Sequence, residues 1–317
     1  MAIASSGAIS LAGDIGEELG NNNATTTTTL KVASNGGIDT INSASASKPD
    51  GTAPHSMSEF YSYDHSASSA SVPTSNLFFR IDPNDTNCYS GSGTTVNDLG
   101  SFGLTGTLYN GASWSSNGYF TFDGTNDYLQ FPNGTDLIVP STTAQRYHEL
   151  YFWARPHQIT NANMIAVSTD DQSSSRRTYQ VKYKSNGTFG PAFIYSGNSV
   201  VTTFSSHSMS ANQWYLIRYQ HRYVGRNASN TEVWHKKYNA SSWTKLADSS
   251  KTQQYQSYSS DICIGAQEKE NSSSTANNPY NGDIGDVLMY YDTHSTDPLN
   301  LSEADDVFDA TKASYGG

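Results

Sequence analysis

From Asn76 onward the chain alternates apolar and polar residues with the two-residue period of half-buried strands. Tyr179, Val181 and Tyr183 alternate with Gln180, Lys182 and Lys184. His148, Leu150, Phe152 and Ala154 alternate with Glu149, Tyr151, Trp153 and Arg155, so both faces of that strand are partly apolar. Trp214–Tyr223 reads as one long strand. Shorter ones are expected at Tyr119–Phe122, Tyr128–Phe131, Met164–Ser168, Ala192–Tyr195, Thr231–Tyr238, Ile262–Gly265 and Asp286–Tyr291. Clusters of Gly, Asn, Asp, Ser and Pro separate them at the spacing of an all-β sandwich. The one helical signal in this part is Ser302–Phe308, with Ser302 as its expected N-cap.

Before Asn76 the apolar positions are sparse. Leu11, Ile15 and Leu19 are spaced four apart, which places them on one helical face, with Ile9 preceding them and Asp14, Glu17 and Glu18 between. Gly20 is a natural stop. So short a helix is marginal alone, and its stripe needs a partner surface. Asn21 to Thr29 form a low-complexity linker. A second apolar anchor lies in Pro54–Tyr61, where Met57, Phe60 and Tyr61 cluster and Ser56 and Glu59 have the spacing of a capping box. Ser66 to Ser75 is a further spacer.

Composition sharpens this division. All 12 Phe, 5 Trp and 21 Tyr lie from Phe60 onward. Large apolar side chains remove the most area from water per residue ordered, so residues 1–75 read as an arm without a core and 76–317 as one large domain. The net charge of -11 argues against nucleic-acid binding, which needs clustered Lys and Arg. Arg218, Arg222 and Arg226, interleaved with Tyr219, His221 and Tyr223, read as an exposed strand face leading into a turn. Cys88 and Cys263 are too few and too far apart for a disulfide framework or a metal site; free thiols and a reducing compartment are expected, with a single bridge as the alternative. The first basic residue is Lys31 and Ala2–Leu19 has no sustained apolar run, so no signal peptide is expected. No stretch approaches the ~20 apolar residues of a membrane span.

Four fragments in order give the body a family resemblance. They are Leu77–Asp82 with Tyr89–Leu99, then Phe120-Thr121-Phe122-Asp123-Gly124-Thr125-Asn126-Asp127-Tyr128-Leu129, then Tyr280–Val287 with Tyr290-Tyr291, and Leu301–Ala304. Together they resemble the concanavalin A-like, laminin-G-like jelly-roll family. That resemblance implies an all-β jelly-roll sandwich over residues 76–317, preceded by an extended arm with short helical turns. Ser5–Leu11 and Pro54-His55-Ser56-Met57-Ser58-Glu59-Phe60-Tyr61 resemble the N-termini of virion proteins of tailed phages, especially those of cyanobacteria. This implies a structural protein docked to other virion proteins through Ile9, Leu11, Ile15, Leu19, Met57, Phe60 and Tyr61. A homo-oligomer or array is expected, assembled in the host cytoplasm. The body would be a tail or baseplate appendage touching host-surface polysaccharide; a capsid decoration or a free bacterial lectin are the alternatives.

Glucanases of the jelly-roll family carry a Glu-x-Asp-x-x-Glu run, which this chain lacks; Glu149 and Glu232 stand on separate strands, and Glu268 and Glu270 flank a Ser-rich loop. No nucleophile elbow, His-Glu-x-x-His or phosphate-cradling loop is present, and a non-enzymatic protein is expected. Asp123, Asn126 and Asp127 offer hard oxygen ligands in one turn, with Asp283 and Asp286 as additions, so calcium is the candidate metal. The same residue types also serve turns simply because they tolerate left-handed geometry. Sugar sites combine an aromatic plate with amide and carboxylate hydrogen bonds. Trp114, Trp243 and Tyr255, with Tyr195 and Tyr258, are the candidates for that plate.

Overall fold

The computed structural model describes residues 3, 8, 14–15, 18–19, 29–36, 38, 41–42, 45, 47–63, 71–132, 146–158, 164–169, 179–183, 189–194, 200–202, 209–225, 228–251, 261–266, 278–292 and 301–315. The chain divides into two compact units, Met1–Val72 and Pro73–Gly317.

The first unit has a small core. Ile3, Ile15, Leu19, Ala33, Phe60 and Tyr63 are buried together, with Leu30, Ile38, Ile41 and Met57 half-buried against them. Phe60 and Tyr63 meet edge to face at 5.9 Å. The expectation of an arm without a core is thus corrected: its aromatic residues lie at its C-terminal end, just past the aromatic-free stretch. Ile15 and Leu19 share one helical hydrogen bond, from the Leu19 amide to the Ile15 carbonyl at 3.1 Å. Helix α1 (Leu30–Ser34) starts at Thr29, whose Oγ1 accepts from the Val32 amide. The capping-box spacing opens a 3-10 turn at Met57–Phe60, where the Ser56 amide donates to the Glu59 carboxylate. Ser34 Oγ donates to the same carboxylate at 2.9 Å, tying this turn to α1. Of the expected docking residues, Ile15, Leu19 and Phe60 are buried within the unit; Met57 and Tyr61 are half-buried, and Ile9 and Leu11 lie outside the described residues.

The second unit is a two-sheet sandwich. Its strands are β1 (Leu77–Ile81), β2 (Thr95–Asn97), β3 (Thr105–Tyr109), β4 (Ser113–Ser115), β5 (Tyr119–Asp123) and β6 (Tyr128–Phe131). After these come β7 (Arg146–Pro156), β8 (Met164–Thr169), β9 (Tyr179–Tyr183), β10 (Phe189–Ile194) and β11 (Val200–Thr202). The last are β12 (Tyr215–Gly225), β13 (Ala228–Lys237), β14 (Thr244–Lys251), β15 (Ile262–Ile264) and β16 (Asn281–Asp292). One sheet runs β14-β13-β12-β7-β16-β5-β4, with β1 also paired to β16; the other runs β11-β10-β9-β8-β15-β6-β3-β2. Neighbours far apart in sequence, such as β7 beside β16, show that the sheets are assembled by crossovers.

Phe79, Phe120, Phe122, Phe131, Leu150, Phe152, Ile217 and Met289 fill the space between the sheets. The alternation on β7 is realised as written: Leu150, Phe152 and Ala154 enter this core. The opposite face of β7 is buried as well. Helix α2 (Leu301–Thr311) and a closing 3-10 turn (Lys312–Tyr315) lie on it. Trp153 packs on Phe308 at 5.4 Å and on Tyr315 at 4.8 Å, and its indole N–H donates to Thr311 Oγ1 at 2.7 Å. Helix α2 begins at Leu301, so Ser302 is its second residue and not its cap. Among the described residues no helix is long and apolar enough to cross a membrane.

Burial also corrects the reading of Arg218 in the basic cluster, while the Arg222 side chain and Arg226 lie outside the described residues. Arg218 is 4 % exposed and pairs with Glu149 at 2.8 Å, because the outer face of this sheet is covered here instead of open to solvent. Cys88 and Cys263 are buried free thiols, and burial pushes the Cys88 thiol up to about 12.

Tyr315 sits where the register of β16 against β7 slips between Ile284 and Val287. A Cβ on Gly285 would lie 2.3 Å from the Tyr315 ring, so the bulge needs glycine for close approach rather than for a special φ. Gly285→Ala is therefore expected to displace Tyr315 and destabilise the body by about 1–3 kcal/mol, the usual range for overpacking, as read by urea denaturation.

Candidate functional site

A cleft of about 160 Å³ opens at the end of the sheet where β7 and β13 finish and β12 begins. Short backbone bonds bring these ends together. The Asn212 amide donates to the Pro156 carbonyl at 2.7 Å, and the Tyr238 amide to the Trp214 carbonyl at 3.1 Å. Asn212 takes a left-handed φ of 57°, a conformation asparagine tolerates better than most residues, and so turns the chain sharply into β12.

Trp214 forms one wall and is 7 % exposed. Tyr315 packs on it at 4.7 Å, and the Arg155 guanidinium lies 5.0 Å from its ring and 5.0 Å from that of Tyr119. The wall is thus fixed in place by Tyr315 and Arg155. Arg155 Nε donates to Asp283 Oδ2 at 2.6 Å, His157 Nε2 lies 2.7 Å from the same oxygen, and Thr121 Oγ1 donates to Asp283 Oδ1 at 2.7 Å. Partial burial opposes the Arg155 charge, but the Asp283 carboxylate outweighs it and raises the guanidinium above its ordinary value. Around this centre the lining is hydrophilic: Asn212, Gln213, Lys237, Tyr238 and Asn239. Asn212, Gln213 and Asn239 are exposed.

Chemically, the cleft joins a rigid aromatic surface to several amide donors and acceptors, with no carboxylate among its lining residues. Its volume is below the ~300–1,000 Å³ of pockets that engulf a drug-sized ligand, so it suits one end of a larger molecule. Neither Trp114 nor Trp243, the two described aromatic residues expected from sequence, belongs to it. Trp114 packs on Tyr89 at 5.7 Å and gives its indole N–H to the Pro83 carbonyl. Trp243 gives its N–H to Asp305 and packs toward Phe308 on α2. Tyr255, Tyr195 and Tyr258 lie outside the described residues. Trp214 and Tyr238 were legible only as strand residues, although Asn212-Gln213-Trp214 and Tyr238-Asn239 each set an aromatic beside amides at a strand end.

The calcium candidates divide. Asp123 and Asp127 share a turn: the Asp123 amide donates to Asp127 Oδ2 at 3.1 Å, and the Thr125 amide to Asp123 Oδ1 at 2.7 Å. Asn126 offers its carbonyl to Asn110 Nδ2 at 2.8 Å. Asp127 is buried with Oδ1 lacking a hydrogen-bond partner, and burial raises its carboxyl above the ordinary range. Asp283 does not join them, because Arg155, His157 and Thr121 engage both of its oxygens; its expected role as a calcium ligand is corrected on that ground. Asp286 is buried against Tyr315. Among the described residues, no three His, Cys, Asp or Glu side chains gather into a metal centre.

No protein-family model matches the sequence, and no curated protein does. Solved structures do match. Trypanosoma rangeli sialidase, in its covalent intermediate with 2,3-difluorosialic acid, aligns with 78 % of this chain at 15 % identity and a TM-score of 0.51. The binding domain of botulinum neurotoxin serotype D aligns with 75 % at 10 % identity and a TM-score of 0.50. The alignments span 35 % of the sialidase chain and 52 % of the neurotoxin chain, so this protein corresponds to about a third and a half of them. At such identities the likeness speaks of fold, and the body is a two-sheet sandwich of the concanavalin A-like jelly-roll type.

Proposed function

We propose that this protein binds carbohydrate through the Trp214 cleft as a non-enzymatic structural component of a tailed-phage virion, where it serves as a tail or baseplate appendage. The observation that carries the carbohydrate reading is the cleft itself: an indole wall immobilised by Arg155 and Tyr315, bordered by exposed amides and the Tyr238 ring. Preorganised aromatic surface with convergent polar groups is what a sugar ring needs, since its faces are apolar and its rim is hydroxylated. One of the matched proteins, a sialidase holding a sialic acid derivative, supports the same reading. The common two-carboxylate route of glycoside hydrolysis has no counterpart in the cleft, whose lining residues include no Asp or Glu.

The virion part rests on the Ser5–Leu11 and Pro54–Tyr61 patterns. Docking then falls to parts of the first unit outside its core, including Val32, which is 42 % exposed. Immunogold electron microscopy of intact particles with antibody to residues 76–317 tests this placement. Label on the tail or its tip is expected. Label over the head would replace the appendage with a capsid decoration, and particles without label would overturn the virion reading. For the cleft, Tyr238→Ala is expected to weaken glycan binding roughly tenfold, or ~1.4 kcal/mol, by equilibrium titration.

A further inference from the structure

We infer that the cleft selects sugars bearing an anionic group, a carboxylate or a sulfate ester. This rests on the carbohydrate reading and narrows it. The chain as a whole has 29 Asp and Glu against 18 Lys and Arg, yet the cleft is lined by Arg155 and Lys237 and by no acid.

The acid beneath the cleft does not cancel both cations. Asp283 is 1 % exposed and its charge is shared by Arg155 and His157, with Thr121 donating to its other oxygen. Asp283 takes the Nε–H of Arg155 and the Tyr119 side chain also hydrogen-bonds this guanidinium, whose two terminal amino groups carry four N–H donors in all. Planar donors of this kind match carboxylate and sulfonate-type oxygens better than neutral hydroxyls do. Lys237 forms no ion pair among the described residues, so its charge is uncompensated there. Asn212, Gln213 and Asn239 add neutral groups that suit the hydroxyls of the same sugar. An anionic sugar satisfies both sets of partners, whereas a neutral one leaves the cations to water.

The test titrates the full chain with three probes: oligogalacturonate, dextran sulfate oligosaccharide and neutral dextran oligosaccharide. Lys237→Gln and Lys237→Glu serve as variants, since Lys237 is half-buried at a strand end and anchors no ion pair among the described residues. Tighter binding of either acidic probe than of dextran is expected. The Gln variant should weaken it about fivefold and the Glu variant further, each loss exceeding any change the same variant makes in dextran binding. Preference for oligogalacturonate assigns the carboxylate; preference for dextran sulfate assigns the sulfate ester. Equal binding of acidic and neutral probes, or acidic binding unmoved in both variants, overturns the anionic selectivity and leaves the carbohydrate reading standing. Absence of binding to all three, and to a broad glycan array, overturns the carbohydrate reading itself.

Discussion

Replacing Glu149 with alanine is expected to lower the stability of the body by about 3–5 kcal/mol, the range for breaking a buried ion pair. Glu149 is fully buried, and its Oε1 accepts from Arg218 Nη2 at 2.8 Å and from Gln220 Nε2 at 2.9 Å. Tyr151 Oη donates to Oε2 at 2.5 Å. Burial, then the Glu149 charge, push the Tyr151 hydroxyl well above its ordinary value, so it remains a donor at any ordinary pH. Alanine would leave the Arg218 guanidinium desolvated with its main acceptor gone, and that penalty dominates over lost packing. Removing both charges tests the cause. Glu149→Leu combined with Arg218→Met should recover the part of the loss due to the stranded guanidinium, because a hydrophobic pair replaces a buried ionic one at little net change, while Tyr151 and Gln220 still lack their acceptor. Urea denaturation followed by tryptophan fluorescence reads both. A loss below about 1 kcal/mol in the single variant would mean that the pair is solvated.

The second large effect is a dependence of stability on pH through Asp286. This residue is 3 % exposed; Asp82 and Arg80 face it from the end of β1, Tyr315 from the C-terminal turn, and Cys88 from the loop after β1. Burial first, and the Asp82 charge second, push its carboxyl from 3.8 up to about 7. The folded protein therefore holds a proton that the unfolded chain releases across that interval. The resulting stabilisation is full below about pH 4 and is lost as pH rises through about 7. Its size is of order 4 kcal/mol between those limits. Melting temperature should fall steadily from pH 5 to about pH 7 and level off above it. Asp286→Asn keeps an acceptor for the Tyr315 hydroxyl and should flatten the curve. A slope unchanged in that variant would assign the dependence to other groups.

Much of the sandwich was legible because one strand period decides one buried face. On β7, Leu150, Phe152 and Ala154 were readable as core, and the apolar character of Tyr151 and Trp153 already implied cover on the other side. The identity of that cover was not legible, since α2 is separated from β7 by most of the body and its cap signal at Ser302 falls one residue inside the helix. Arg218 looked exposed because its partner Glu149 lies 69 residues away, on a neighbouring strand that only register brings alongside. The core of the first unit escaped notice because Phe60 and Tyr63 stand at its very end, next to the aromatic-rich body. The cleft was the least readable feature. Arg155, Trp214, Tyr238 and Tyr315 come from four separate stretches, and no local pattern reports a convergence set by strand ends. Asp283 illustrates the converse: composition suited it to calcium, but a guanidinium reached it first.

Glycan binding at the Trp214 wall is tested most directly by a map of amide chemical-shift changes on the full chain as a bound glycan, identified by array, is titrated in. The largest changes are expected on residues 212–214 and 237–239, around that wall. Changes centred on Trp114 or Trp243, with the cleft unmoved, would contradict it.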